Sequence, residues 1–331
     1  MIHFGKPSPV MAVVMLALIL WAAANPGCQR AWEAVALILT SSFLMIHFPL
    51  SGEVTFVDIG QGDAMIIRTP FSRHVALIDT GGKLSFTRQA WQRRVVNSDV
   101  AKRTSLNYLK SRGISHIDAV CLSHHDTDHI GYLSTVLSEM RVDNVLVPAG
   151  MEKQPQLARQ LQSPANIRRP RIIPVTAGAT LPQLGLRVLH PFSPGKAENT
   201  DSMVLVGSYG QLRFLFTGDL DQAGERRLLK RYPDLQVDVL KLGHHGSKTA
   251  SGAKFLHQVR PRIGIISAGR FNRYGHPNNV TMKRVAAAHI QPLSTQQYGM
   301  IRYSFLGHHG QWQTRLRGDE LEWMLPPYDN S

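Results

Sequence analysis

An α/β fold carried behind an apolar helical hairpin is the architecture that this 331-residue sequence predicts. Three observations predict it. Two apolar runs occupy residues 1–50, at about 9–25 and 31–49, with a breaker between them. From Glu53 onward, short apolar stretches of strand length end in Gly-rich turns, and these stretches alternate with helical patterns. After residue 51 no second composition break marks a further boundary, so 51–331 reads as one domain long enough to bury a core.

The first run, Val10 to Ala24, is uninterrupted apolar sequence. Asn25-Pro26-Gly27-Cys28-Gln29-Arg30 then breaks the pattern, and Ala34 to Pro49 is nearly as apolar. Each run is short against the roughly 20 residues of a spanning helix, but Trp21, Trp32 and Phe48 extend both as interface anchors. The expectation is a membrane hairpin, hence a multi-pass inner-membrane protein with lipid as one partner. A cleaved signal peptide is the rival for the first run, since Lys6 and Ala22-Ala23-Ala24 suit one, and the second run argues against it. Lys6 and Arg30 are the only Lys or Arg residues here, too few to set an orientation.

The net charge of +14, from 37 Lys and Arg against 23 Asp and Glu, falls almost entirely after residue 50 and favours a polyanionic partner. Its densest stretch, Lys83 to Arg112, carries Arg88, Arg93, Arg94, Lys102, Arg103 and Lys110 with Trp91 and Tyr108 among them. A solvated helix face or a surface for anionic lipid explains such a run as well. Two cysteines, Cys28 and Cys121, make no disulfide framework.

The chemistry concentrates in His124-His125-Asp126-Thr127-Asp128-His129, where five of six side chains can bind a divalent ion. The stretch lies between a buried strand, Ile117 to Ser123, and a helix opening at Ile130, so it forms a strand-to-helix loop. A tight turn there directs His124 and Asp126 toward one point and Asp128 and His129 toward a second, which makes two neighbouring metals geometrically plausible. Asp128 also suits an N-cap. Imidazole fits zinc, iron or manganese, and the carboxylates shift preference toward manganese or magnesium.

Other strands deliver further groups. Leu212 to Phe216 leads through Thr217-Gly218 to Asp219, a carboxylate able to bridge two cations, or else an N-cap for the helix from Leu220 to Arg231. Val237 to Leu242 leads into Gly243-His244-His245-Gly246-Ser247. The same LGHHG letters recur at Leu306 to Gly310 between two strand patterns, where they read as a hairpin turn. Gly60-Gln61-Gly62-Asp63 and Asp79-Thr80-Gly81-Gly82 are weak signals, each compatible with a plain turn. Ser163 to Pro174 reads as a surface connection. The loop holding Asn272, Tyr274 and His276 can bring polar groups to a phosphate.

The ordered set DIGQGDA, LIDTGG, SHHDTDHIG, FTGD, LKLGHHGS and ISAGRFNRYGHP closely resembles the C-terminal metallo-β-lactamase-like domain of the ComEC family of DNA-uptake competence proteins, over Glu53 to about Leu293. The resemblance implies an αββα sandwich for 51–331, with two divalent ions, manganese or zinc, at one edge. It implies His124 and Asp126 on one ion and Asp128, His129 and His245, or His244 as the alternative, on the other, with Asp219 bridging. The family's further histidine is replaced by Glu198-Asn199-Thr200-Asp201-Ser202, where Asp201 or Glu198 would complete the first site. The implied activity is two-metal phosphodiester hydrolysis of DNA during uptake, with Asp128 and His129 catalytic and Ser247, Asn272 and His276 as phosphate contacts. It also implies a truncated or split channel protein, extracytoplasmic and partnered by the rest of an uptake machinery. Two other readings stand beside it: hydrolysis of a choline-phosphate ester of the cell envelope, and a non-catalytic DNA tether.

Overall fold

A computed structural model describes residues 3–82, 100–162, 169–270 and 272–316. The Lys83 to Asp99 part of the basic stretch and the Ser163 to Arg168 part of the expected connection lie outside the described residues. The rest of that connection corrects the reading. Arg171–Val175 is a strand, because its Ile172-Ile173 pair finds a free sheet edge.

At the front, α1 (Pro9–Ala24) and α2 (Gln29–His47) form the expected hairpin, turning at Asn25 to Cys28. Ala22, Ala31 and Val35 bury at the seam, and Ser42 Oγ donates to Met15 Sδ at 3.6 Å. Val13, Leu16, Leu20, Leu37 and Leu44 stay exposed. Among the described residues no helix is long and apolar enough to cross a membrane. The 16 residues of α1 rise about 24 Å against a hydrocarbon core of roughly 30 Å, and α2 has Gln29, Arg30 and Glu33 in its first turns. The hairpin therefore does not meet the expectation of two spans, α1 in length and α2 in apolar character.

The first sheet comprises β1 (Gly52–Phe56), β2 (Met65–Arg68), β3 (Val75–Ile78), β4 (His116–Cys121), β5 (Arg141–Pro148) and β6 (Arg171–Val175). The second comprises β7 (Thr180–Leu181), β8 (Leu186–His190), β9 (Val204–Tyr209), β10 (Leu212–Phe216), β11 (Val239–Lys241), β12 (Ile263–Ile266) and β13 (Gln291–Ser294). The chain then returns to the first sheet as β14 (Ile301–Leu306) and β15 (His309–Thr314), joined by the turn expected of the second LGHHG copy. The strand orders are β15-β14-β1-β2-β3-β4-β5-β6 and β13-β12-β11-β10-β9-β8-β7. Pairing is parallel from β3 to β6 and from β10 to β13, and antiparallel elsewhere. Apolar runs such as Val75 to Ile78 and Ile263 to Ile266 suit parallel strands covered on both faces.

Alternation along each strand divides its side chains between two cores. Val54, Phe56, Met65, Leu205, Phe214 and Phe216 pack between the sheets, each large one contributing on the order of 1.5–3 kcal/mol by burial. Ile66, Leu77 and Val120 point outward beneath α3 (Val100–Arg103), α4 (Ser105–Ser111), α5 (Thr127–Ile130), α6 (Leu133–Glu139) and α7 (Pro155–Gln160). Leu215 and Leu240 do the same beneath α8 (Gln222–Arg231), α9 (Ala253–Val259) and α10 (Asn279–Ala287), and α11 (Thr295–Tyr298) follows β13. This is the αββα sandwich. The carboxyl ends of β3, β4, β10, β11 and β12 all open on one edge, where a ligand site is expected of parallel strands.

The helix expected from Ile130 begins earlier, at Thr127, and is interrupted at Gly131-Tyr132 before α6. At the break, Gly82 and Gly131 let two backbones touch. A Cβ on Gly82 would overlap the Thr127 carbonyl. Gly62, at φ +121°, lets the Asp128 carbonyl approach closely enough to accept from Asp63 N at 3.3 Å.

Candidate metal centre

Asp219 is the hub. It lies three residues past β10, buried, and is no helix cap, since Asp221 caps α8 by accepting from Gly224 N at 2.8 Å. Its Oδ1 stands 3.2 Å from His129 Nε2, and its Oδ2 stands 3.6, 3.7 and 3.9 Å from the Nε2 atoms of His245, His244 and His124. Asp128 Oδ2 faces His245 Nε2 at 3.3 Å, and Asp126 Oδ2 faces His124 Nε2 at 3.5 Å. Asp126 precedes α5 without a side-chain cap hydrogen bond and Asp128 lies inside the first turn, so neither is consumed as a cap.

The hydrogen bonds on the far side of each ring fix how the imidazoles face inward. His129 Nδ1 donates to Asp79 Oδ2 at 2.9 Å, and His245 Nδ1 donates to the Ser267 carbonyl at 2.9 Å. Ser123 Oγ donates to Asp79 Oδ2 at 2.7 Å, which leaves it to accept from His124 Nδ1 at 3.0 Å. All three histidines therefore keep a proton on Nδ1 and turn Nε2 toward Asp219, the orientation metal-bound histidines use. Those three Nε2 atoms, Asp219 Oδ1 and Asp63 Oδ1 are buried without a hydrogen-bond partner. Buried polar atoms left unpaired cost about 1–3 kcal/mol each, so their convergence fits a site for a divalent ion.

Burial opposes charge on these groups, yet Asp219 and Asp79 hold His129 well above the ordinary histidine range. Against the same burial, His245 and His129 hold Asp219 well below the carboxylate range. Acid and imidazole thus stabilise each other's charged forms across the cluster.

Both members of the His244-His245 pair reach Asp219, so they are not alternatives. His245 joins Asp128 and His129, and His244 reaches the same Oδ2 as His124. Both adopt left-handed backbone, at φ 49° and 54°, which costs energy in a non-glycine residue and turns the two rings apart. Asp201 is not brought to the site. Its carboxylate accepts from Lys196 N at 3.1 Å and pairs with Arg227 at 3.7 Å, and Glu198 is exposed.

Of the expected phosphate contacts, Asn272 is committed elsewhere: its Nδ2 donates to the carbonyls of Gly269 and His276, and its Oδ1 accepts from His276 N. Ser247 is buried, with its Oγ within 2.9 Å of Thr249 Oγ1. His276 lies at the rim with its ring 5.7 Å from that of His244. Burial, aided by His245 and His244, pushes it down to about 4, so it is neutral at pH 7.

Three residues were not singled out from the sequence. Asp79 orients His129 and Ser123. Asp63 belongs with His129, Asp219 and His245 in a group of four whose ligand atoms lie within 4.8 Å of one another. Lys241, fully buried, pairs with Asp63 Oδ2. The available signal was a charged residue inside the apolar strand Val239–Lys241, and two carboxylates flanking strands that end on one edge.

The sequence profile of the metallo-β-lactamase superfamily matches residues 57–270. The chain is 33% identical over 339 aligned residues to ComE operon protein 3 of Bacillus subtilis, covering 100% of this chain and 42% of that protein. It is 31% identical to competence protein ComA of Neisseria gonorrhoeae, covering 98% of this chain and 42% of the relative. The chain thus spans about two fifths of each of these relatives. Among solved structures, the metallo-β-lactamase fold protein YhfI of Bacillus subtilis aligns with a TM-score of 0.48 at 12% identity, over 77% of this chain and 100% of that one.

Proposed function

The chain belongs to the metallo-β-lactamase superfamily, in the company of the ComEC-type competence proteins, and from that premise we propose that it is a membrane-attached, metal-dependent phosphodiesterase that cleaves DNA during uptake. One observation carries the reading. Three Nδ1-protonated histidines and Asp219, from loops far apart in the chain, turn unpaired buried atoms onto one small volume.

His129, Asp128 and His245 would hold one divalent ion and His124, Asp126 and His244 the other, with Asp219 between them. Bound there, such ions lower the pKa of water and offset charge on an attacked phosphate. Asp79, Ser123 and the Ser267 carbonyl keep the imidazoles aimed. Asp128, at 13% side-chain exposure, is open enough to accept a proton from an incoming water. His276 is a neutral donor at the mouth of the site. A net charge of +14 supports a polyanionic substrate over a small ester. The exposed apolar faces of α1 and α2 support insertion beside lipid and other membrane parts of an uptake machinery, with the catalytic domain on the extracytoplasmic side.

The test joins metal analysis to cleavage assays on the full chain in detergent, with manganese or zinc. The expected result is about two ions per chain, with cleavage of labelled DNA that is lost in Asp128→Ala and His129→Ala while DNA binding persists. Cleavage of a phosphocholine ester in preference to DNA would replace the substrate. Binding without cleavage in the unmutated chain would make it a tether.

A further inference from the structure

A cleft of about 720 Å³ runs between the start of the loop that holds Asp63, at Asp58, and the foot of the helical hairpin, at Lys6. Lys6, Arg103, Arg270, Arg302 and Arg315 line it, against Asp58 as the one carboxylate among the described lining residues. Behind the lining, buried Glu53 is shared by Arg68 at 3.2 Å, Arg112 at 3.6 Å and Arg302 at 3.9 Å, so it answers the charge of Arg302 only in part.

The cleft has two ends. At one, Asp58 opens the loop that carries Asp63 into the metal centre, and a Cβ on Gly269, next to Arg270, would stand 3.1 Å from Gln61 N. At the other, Lys6 donates its backbone N–H to the Ser111 carbonyl at 2.7 Å, just before α1 begins. The path therefore joins the rim of the metal centre to the foot of the hairpin.

We infer that this cleft is the bed of a single nucleic-acid strand, which it leads between the hairpin and the metal centre. The inference rests on the phosphodiesterase reading for the strand's destination. A row of cations in a concave trough meets successive phosphates along a chain, whereas a bilayer surface is flat and meets projecting residues. Asn107 and Gln313 stand in the same lining and add neutral hydrogen-bonding groups.

The experiment uses the full chain in detergent, with EDTA to prevent cleavage, and a fluorescent 20-nucleotide single-stranded DNA. Arg103 and Arg315 are exposed and lie outside the metal centre, and Arg226 and Arg231 on α8 serve as a control pair. R103A/R315A is expected to weaken binding about 10-fold near 0.1 M salt and to lower the log–log salt slope by about 1.4, two contacts at about 0.7 each. R226A/R231A is expected to change neither, and R103A/R315A is expected to keep manganese-dependent hydrolysis of bis-p-nitrophenyl phosphate. Unchanged DNA affinity in R103A/R315A, or equal losses in both pairs, overturns the inference. Loss of binding to phosphatidylglycerol vesicles with DNA affinity intact overturns it in favour of lipid. If the unmutated chain fails to hydrolyse the diester while DNA binding still depends on Arg103 and Arg315, the phosphodiesterase reading fails and the cleft stands.

Discussion

On the inner side of Asp219, His129 and His245 are enclosed, and each Nδ1 is bonded to a carboxylate or a carbonyl at 2.9 Å. On the outer side His124 is equally buried, but its companions are not: the His244 side chain is 28% exposed and that of Asp126 48%. His244 Nδ1 has Asn199 at 3.4 Å and Thr249 at 3.3 Å, both long contacts that leave the ring's tautomer unfixed. The inner half thus has its geometry imposed before any ion arrives, and the outer half must organise on binding. The contrast predicts one tightly held ion and one exchangeable ion, since outer-shell partners are worth roughly 10–100-fold in affinity.

Asp219→Ala erases the distinction between the halves, because both depend on that carboxylate. The expected result is loss of both ions by metal analysis and a fall in diester hydrolysis of about 10³-fold or more. Retention of one ion would mean that the halves are independent.

Lys241→Met attacks the inner half from beneath by leaving buried Asp63 without its lysine, with only His245 Nδ1 at 3.4 Å facing it. Breaking a buried pair this way costs about 3–5 kcal/mol, to be read from thermal or denaturant unfolding, and Asp63→Leu/Lys241→Met should recover much of it. If the single variant is as stable as the unmutated chain, the pair is not a support.

Glu225 braces the segment after the His244-His245 turn by accepting from Ser251 N at 2.5 Å and Gly252 N at 2.9 Å. Burial pushes its carboxyl up to about 7, only partly opposed by these two bonds. A raised acid stabilises the fold fully below its unfolded pKa near 4.5, and the benefit is lost as pH climbs through 7. The loss should approach about 3 kcal/mol by pH 8. Unfolding at pH 5 and pH 8 should therefore show a larger fall for the unmutated chain than for Glu225→Gln.

His244→Ala should be the mildest change. It should weaken one ion's binding by about 10-fold, with activity restored by excess manganese, whereas His245→Ala should resist such rescue. Stepwise chelation should likewise remove one ion well before the other. A single common release step in the unmutated chain would dissolve the contrast.

Much of this was legible in the sequence, for identifiable reasons. Apolar strands closing on Asp, His and Gly gave the α/β order, and the spacing of His124, Asp126, Asp128 and His129 placed them on one loop. What stayed hidden required three dimensions. Asp63 looks like a turn residue until β2 is seen antiparallel beside β3, which puts its start on the site's edge. His244 and His245 looked like rivals because only their left-handed backbone sends both rings to Asp219. Asp201 was attractive by chain position, but Arg227 on α8 claims its carboxylate. Asn272 looked free because nothing in its neighbours announces that it laces its own loop.

The metal centre takes Asp63, Asp79 and the segment from His124 to His129 from one sheet, and Asp219 with His244 and His245 from the other. A nascent polypeptide that has emerged only as far as β9 lacks the hub and half of the imidazoles. Chain order alone therefore keeps the cluster incomplete during synthesis: its ligand set assembles only when the later sheet closes over the earlier one.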